Sequence, residues 1–544
     1  MHLSVLFLAA CLFFLPTASA NAAYWLNGSP VESIDSAASE QDLKELTPQN
    51  EWYGRFTDHP AGYSLLIPSS LQEDFTLSPV RNVFFNDTTR IEIYYDNFSG
   101  TENNSRDYIS YGNRFTLNTN DHTVLAEDSR TINGLRAHIL EWQRRPLAHI
   151  ENDKRYYASA EFVKNAKEVY TVFIKSSQPI TNAREIFSSF RLAAQTGRAV
   201  YSKPLLPARS AMNKETAALF QSVFSAKALL SWGMFEPSAP ETMSYLTAIE
   251  EKLNYPLNFI IRYHTLEERL PLRGLQQAYA AGKVVELTFQ SIRPGNAVAM
   301  SAANYRKDNA STIYDILDGK YDAYLDEYAQ SLKEFNHPIL FRLNNEMNGD
   351  WCWYSAYFTN KDAAMYIALW RYLHDRFRQA GVDNLIWVWN PHDVSRPDFK
   401  WNHALVYYPG DEYVDVVGMT GYNTGTYFPG ETWRDFDDIY RPLYAEYSQV
   451  FDKPFMLTEF AASSVGGDKA AWTRNMFRQI RQYPNIKLAI WWSGIDYDNN
   501  GQPGRIYLLD EDETMTEVFR DGFKAFPPVK LNIPAAEPKP GNAK

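Results

Sequence analysis

Residues 338–355 read PILFRLNNEMNGDWCWYS, and this stretch decides the fold. It opens on a short apolar run, Ile339, Leu340, Phe341 and Leu343, of the length expected for a core strand. It then turns polar through Asn344, Asn345, Glu346, Asn348 and Asp350 and closes on Trp351, Trp353 and Tyr354. A buried strand whose tip carries a carboxylate, flanking amides and then indoles fits a sugar-processing barrel. The strand would hold the acid rigidly, the amides would orient it and sugar hydroxyls, and the aromatic faces would stack on pyranose rings. A solvated loop with stray tryptophans is the plainer alternative, but exposed Trp clusters are uncommon without a partner.

Working outward, a βα alternation extends on both sides of this stretch, from about residue 223 to 527. The expected strands are Ala228–Phe235, Asn258–Tyr263, Val284–Phe289, Ile339–Asn344, Leu385–Trp389, Val414–Gly418, Phe455–Thr458 and Leu488–Trp492. Helical patterns lie between most of them: Glu241–Leu253, Tyr321–Phe335, Asp362–Ala380, Tyr440–Val450 and Lys469–Tyr483. An open doubly wound sheet would want a glycine-rich loop after its first strand, whereas Phe235-Glu236-Pro237 stands there; a (β/α)8 barrel is expected instead. Strand C-termini converge on one face of such a barrel, and the seventh ends in Leu457-Thr458-Glu459-Phe460. Two glutamates, Glu346 and Glu459, are thereby placed across one mouth, and at a separation of roughly 5 to 5.5 Å such a pair supports double displacement with retention.

The segment Arg342-x-x-Asn345-Glu346-Met347-Asn348-Gly349-x-Trp351 resembles the acid/base signature of glycoside hydrolase family 26, written R-x-x-H-E-M-N-G-x-W. The resemblance implies a (β/α)8 barrel of a retaining clan, with Glu346 as acid/base at the end of the fourth strand. It also implies Glu459 as nucleophile, in the Thr458-Glu459-Phe460 segment at the end of the seventh. In that clan a tyrosine follows the sixth strand and faces the nucleophile, which points to Tyr422. Asn345 stands where the family has His and is placed to bond the 2-hydroxyl of the cleaved sugar. Thr288-Phe289-Gln290 replaces the Trp-His of family mannanases near the third strand, and Tyr354 replaces the second Trp of W-x-x-W. These departures leave β-mannan, a β-glucan and an exopolysaccharide open as substrates. Glu346 would need a raised pKa, from burial and the neighbouring charge of Glu459. Arg342 lies on the strand, where it either bears on Glu459 or serves a buried structural pair. Trp351 and Trp491, from the pair Trp491-Trp492, are candidate stacking platforms, with only one of that pair expected to line the site because adjacent strand residues point opposite ways. Trp232 and His264 fall near the same mouth, with a packed core residue the preferred account of each.

The rest of the 544 residues is organised around this barrel. Residues 51–195 read as alternating strands, among them Tyr63–Pro68, Arg90–Tyr95, Ala137–Trp142, Tyr156–Phe162 and Val169–Ile174, closed by a helix near Ala183–Phe190. Their order resembles the PsbP-like α/β sandwich, a small sheet covered by helices, and implies a docking or spacer domain. Residues 21–50 read as a polar linker or arm, 196–222 as a connector, and 528–544 as a disordered, proline-bearing tail. Residues 1–20 have the apolar run and Ala18-Ser19-Ala20 of a secretory signal, so export is expected; anchoring as a lipoprotein through Cys11 is the less favoured alternative.

Composition narrows the function. A net charge of −12 without a basic block speaks against nucleic acid or an anionic membrane as partner, and no further apolar run is long enough to insert in a membrane. The two cysteines are Cys11 and Cys352, so the exported chain would hold no internal disulfide and would be stabilised by its large core alone. Aromatic residues make up 15%, in keeping with carbohydrate binding. Asp496-x-Asp498-x-Asn500-Gly501 matches half of a calcium loop, but position twelve is Tyr507, and a polar turn is the preferred reading. With no zinc spacing, P-loop or G-x-S-x-G elbow, neither metal nor cofactor is expected. The expectation is a monomeric, exported endo-β-glycanase acting on a β-linked polysaccharide. The alternatives are a glycan-binding protein on the same scaffold and a transglycosylase.

Overall fold

The computed structural model of the chain describes residues 22–202, 212–293 and 311–531. The candidate signal, Cys11 and most of the tail lie outside the described residues.

Eight strands close into a parallel barrel: β1 (Ser231–Phe235), β2 (Phe259–Thr265), β3 (Val284–Gln290), β4 (Ile339–Leu343), β5 (Leu385–Trp389), β6 (Val416–Asn423), β7 (Phe455–Ala462) and β8 (Ile486–Trp492). All eight coincide in place with the expected strands, and β6 and β7 run on further than their apolar runs indicated. Helices follow most strands, including α1 (Ser244–Leu253), α2 (Leu272–Ala280), α3 (Asp322–Phe335), α4 (Ala364–Gln379), α5 (Phe436–Val450), α6 (Lys469–Gln479) and α7 (Glu513–Phe523). After β5 the chain makes short 3-10 turns instead, Lys400–Asn402, Ala404–Tyr407 and Asp411–Tyr413. The barrel interior is filled by Phe259, Ile261, Val284, Leu340, Ile386, Val388, Val416, Met456, Leu488 and Ile490. A helix at Lys214–Phe224 presses Leu219, Phe220, Val223 and Phe224 onto this cluster. Part of the expected connector is therefore a plug for the floor of the barrel, because open strand ends there would leave the interior apolar layer wet.

The N-terminal region differs from expectation in two respects. Residues of the supposed arm form strands, Ala23–Leu26, Ser29–Val31 and Leu43–Pro48, which pair into a six-stranded sheet with Tyr53–Asp58, Tyr63–Pro68 and Arg191–Leu192. Trp25 packs edge-on against Phe75 and is buried, which fixes the arm to the core. A seven-stranded antiparallel sheet lies against this one, ordered Gln72–Asp74, Arg81–Phe85, Thr89–Asn97, Glu168–Ser176, Tyr156–Val163, Leu135–Arg144, His122–Ile132. The cover is thus a second sheet, rather than the helices of the α/β sandwich that the strand order resembles.

The middle of the larger sheet is buried on both faces, whereas its edge strand His122–Ile132 is exposed. Strands Tyr156–Val163 and Glu168–Ser176 are buried almost residue by residue, without the alternation of a half-solvated sheet. One face, with Ile91, Ile93, Ala160, Phe162 and Val172, meets the smaller sheet. The opposite face, with Tyr94, Leu140, Trp142, Tyr157 and Phe173, joins the hydrophobic core of the barrel's outer layer. The sandwich is welded to the barrel along the segment that follows β4.

Candidate active site

Inside a barrel every second residue of a strand faces the axis, so each strand's parity decides its contribution. On β4, Leu340 and Arg342 face in; on β3, Val284, Glu286, Thr288 and Gln290 do. Arg342 is fully buried at the centre of a polar cage. Its Nε donates to Thr288 Oγ1 at 2.7 Å and pairs with Glu286 Oε1 at 2.6 Å. Its Nη1 donates to Asn390 Oδ1 at 3.0 Å and pairs with Glu459 Oε1 at 2.5 Å. The two carboxylates beside it hold the guanidinium well above even its ordinary basicity, against burial. Arg342 thus pairs with Glu286 and with the candidate nucleophile Glu459 at once.

Glu459 reaches the axis through an irregularity. Met419 of β6 pairs with Leu457, but Thr420 pairs with Glu459, so Thr458 is an extra residue. Such a bulge re-aims the side chains beyond it. Residues paired across strands point to the same side, and Thr420 points inward, its Oγ1 contacting Asn390 and Thr458. Glu459 therefore shares the inward side with Thr420 and, two residues on, Tyr422, whose hydroxyl donates to Glu459 Oε2 at 2.7 Å. The hydroxyl's pKa is pushed up, by burial first and by Glu459 next, so it remains a donor.

Glu346 is held differently. It lies just beyond β4 with φ of 54°, and Asn344 two residues before it has φ of 53°. Left-handed backbone is tolerated by Asn but costs a glutamate on the order of 1 kcal/mol. The surroundings hold it there: Glu346 N donates to Asn390 O at 2.8 Å, and the Asn344 side chain takes Ser291 N and gives to Ser291 Oγ. Trp351 Nε1 donates to Glu346 Oε2 at 2.9 Å, and His392 Nε2 stands 3.9 Å from Oε1. The pKa of Glu346 is raised, chiefly by burial, with Glu459 adding to it while His392, Trp351 and Arg342 oppose. Asn345, nearly buried, has its Oδ1 engaged by Gln290 Nε2 at 3.0 Å and its carbonyl by Tyr354 hydroxyl at 2.7 Å.

Three expected site residues lie elsewhere. Trp491 faces out of β8 against Phe460 and Phe519, its Nε1 bonded to Tyr507 O; Trp492 faces in, stacked 5.0 Å from Phe235 and bonded to Tyr263 hydroxyl. His264 faces out of β2 between Phe289 and Tyr328, while Tyr263 beside it turns toward Arg342. Trp232 packs among Phe460, Phe477, Phe523 and Phe526. In each case the residue one place away, or none on that strand, lines the mouth. Glu286, Asn390 and His392 were missed. For Glu286 the signal was present: an acid inside the apolar run Val284–Phe289, in phase with Thr288.

The half calcium loop forms a hairpin turn in which Asp498 accepts Asn500 N, Gln502 N and the Tyr427 hydroxyl, and Asp496 pairs with Arg505. Among the described residues no group of three or more acids, histidines or cysteines is arranged for a metal. No helix among them is long and apolar enough to cross a membrane.

Residues 276–500 match the family model of glycosyl hydrolase family 26. Over those residues the barrel is similar to glycosyl hydrolase family 26. The chain is 35% identical over 184 residues to Endoglucanase H of Acetivibrio thermocellus, a match spanning 33% of this chain and 20% of that protein. It is 31% identical over 196 residues to mannan endo-1,4-beta-mannosidase A and B of Caldalkalibacillus mannanilyticus, spanning 35% of this chain and 34% of that protein. These matches cover a minor part of either relative's own length. Among solved structures, the catalytic domain of the Bacillus sp. JAMB-750 family 26 endo-beta-1,4-mannanase superposes with a TM-score of 0.45 at 17% identity, over 59% of this chain and 94% of that one. Both glutamates, Glu346 and Glu459, lie within the matched residues.

Proposed function

We propose that the chain is an exported, retaining endo-β-glycanase that cleaves a β-linked polysaccharide by double displacement. The observation that carries this reading is the unequal treatment of two glutamates in one mouth. Arg342 pairs with one oxygen of Glu459 and the Tyr422 hydroxyl donates to the other, which aims Glu459 as a nucleophile. Burial and the charge of Glu459 keep Glu346 protonated to higher pH than an exposed glutamate, as a general acid requires. In the first step Glu459 attacks the anomeric carbon while the Glu346 proton passes to the leaving oxygen. In the second, the Glu346 carboxylate takes a proton from water, whose oxygen displaces Glu459. Trp492 and Trp351, half-buried at the mouth, are the faces offered to sugar rings.

The relatives are named for glucan and for mannan cleavage, so the backbone sugar is tested directly. A reducing-end assay over mannan, galactomannan, lichenan, curdlan, xylan and bacterial exopolysaccharides should find at least one substrate. NMR of the first product should show the β anomer, and Glu459→Ala should abolish release while leaving binding intact. An initial α product would end the double-displacement mechanism. Binding without cleavage would make the barrel a glycan receptor, and longer products at high acceptor concentration a transglycosylase.

A further inference from the structure

The sandwich is joined to the barrel at the segment that carries Glu346. Between β4 and α4 the chain runs through residues 344–363 in successive turns, and four polar side chains of this segment end on the sandwich. Asn360 accepts from Trp142 Nε1 at 3.0 Å. Lys361 pairs with Glu161 at 2.8 Å, and Glu161 in turn with His138 at 2.6 Å. Asp362 pairs with Lys175 at 2.6 Å and takes the Tyr157 hydroxyl at 3.2 Å. Asp350, at the other end, accepts from the Tyr111 hydroxyl. Lys361, Asp362, Glu161 and Lys175 are each at most 2% exposed, so the two ion pairs that cross this junction are buried, with His138 and Glu92 of the sandwich beside them. Asn360 and Lys361 also have φ of 64° and 56°, left-handed backbone held by the contacts their side chains make.

Tyr111 is the contact nearest the chemistry. It ends the helix Ser105–Gly112, whose Tyr108 is anchored to the seven-stranded sheet by a 2.7 Å bond to Thr171. Its ring stacks 4.8 Å from Tyr357 with Arg114 over its face. Asp350, its acceptor, precedes Trp351, and Trp351 holds Glu346 Oε2. The indole folds back across Gly349 so closely that a Cβ there would meet its ring at 2.5 Å. The angle of the indole is therefore set by the backbone at 349–351, the point that Tyr111 pins.

We propose that Tyr111 is a positioning residue for the acid/base: through Asp350 it fixes Trp351, and through Trp351 the protonation of Glu346, which makes the sandwich a working part of the active site instead of a spacer. The proposal rests on the reading of Glu346 as acid/base for its effect on rate, and on geometry alone for its effect on protonation. Glu346 also faces His392, Glu459 and Arg342, and Asp350 faces Tyr111, none of which the substitution Tyr111→Phe removes except the one hydroxyl.

The sign follows from the indole. Its N–H stabilises the carboxylate, so loosening it raises the pKa of Glu346 further. The test is an NMR titration of the Trp351 indole N–H, assigned by its loss in Trp351→Phe, in the full chain with and without Tyr111→Phe. The midpoint should rise by roughly 0.5 unit in Tyr111→Phe, with the alkaline limb of kcat/KM moving up in parallel and kcat falling. A midpoint unchanged by Tyr111→Phe overturns the proposal, whatever happens to the melting temperature. If the wild type cleaves no glycan, the hydrolase reading fails, yet the indole titration still decides the role of Tyr111.

Discussion

Glu459 and Glu346 share one opening but are supported by opposite means. Glu459 is built into a strand, gripped through both oxygens by Arg342 and Tyr422, with a guanidinium that is itself caged by Thr288, Asn390 and Glu286. Glu346 stands on strained turn backbone, oriented by an indole and by main-chain bonds, and is placed from outside the barrel as much as from within. A nucleophile must stay charged and still, which suits a rigid strand and a fixed cation. An acid/base must gain and lose a proton in each turnover, which suits a loop with one adjustable donor. The contrast teaches that the barrel supplies charge and the loop supplies tuning.

Arg342→Met should break the comparison most severely. It leaves Glu286 and Glu459 buried without their cation, so unfolding in urea should show a loss of about 3–5 kcal/mol, and activity should fall to background. Retention of either full stability or full activity would mean that the cage does not hold the nucleophile. Trp351→Phe attacks only the tuned side. It removes the donor that favours ionised Glu346, so the alkaline limb of the pH–rate profile should rise, because the acid now stays protonated to higher pH. The kcat should fall ~10-fold, about 1.4 kcal/mol of transition-state stabilisation. A limb that moves down would reverse the assignment of Glu346.

The two β8 indoles sharpen the picture. Trp492→Ala should raise KM several-fold with little loss of stability, since it faces the mouth, whereas Trp491→Ala should cost about 3–5 kcal/mol and leave KM alone. Isothermal binding of an oligosaccharide beside thermal melts would separate them. A pH test concerns Glu286, which burial, with help from Glu459 and against Arg342, pushes from 4.5 up to about 8. Its folded pKa exceeds its unfolded one, so the stability it contributes is complete below pH 4.5 and is lost as pH rises through about 8. Glu286→Gln should flatten the fall in stability across that window, read as urea midpoints at pH 5 and pH 8. An unchanged slope would show that Glu286 is ionised throughout.

Much of the barrel was legible because each strand is a compact apolar run between helical stretches, and β-strand hydrophobicity is a local property. Glu346 was legible too, since a run of polar residues at the tip of such a strand has few structural uses. The errors cluster where parity matters. Trp491, His264 and Trp232 each sit at the right height on the right strand, but strands β1, β2 and β8 present the neighbouring side chain, or none, to the axis. The supposed linker was misjudged because short polar strands such as Ser29–Val31 owe their form to partners in the sheet, with little apolar pattern of their own.

By itself the sequence determined that eight strand-forming runs alternate with helices, and that glutamates end the fourth and seventh. Those follow from composition within windows of a few residues. Only the tertiary structure decided that Thr458 is an extra residue which turns Glu459 to the axis, that Asn390, Glu286 and His392 join it, and that a tyrosine some 240 positions before Asp350 holds the acid's loop. The physical reason is range: register shifts and buried charge pairs are settled between segments far apart in the chain, where no local pattern of residues records who the partner will be.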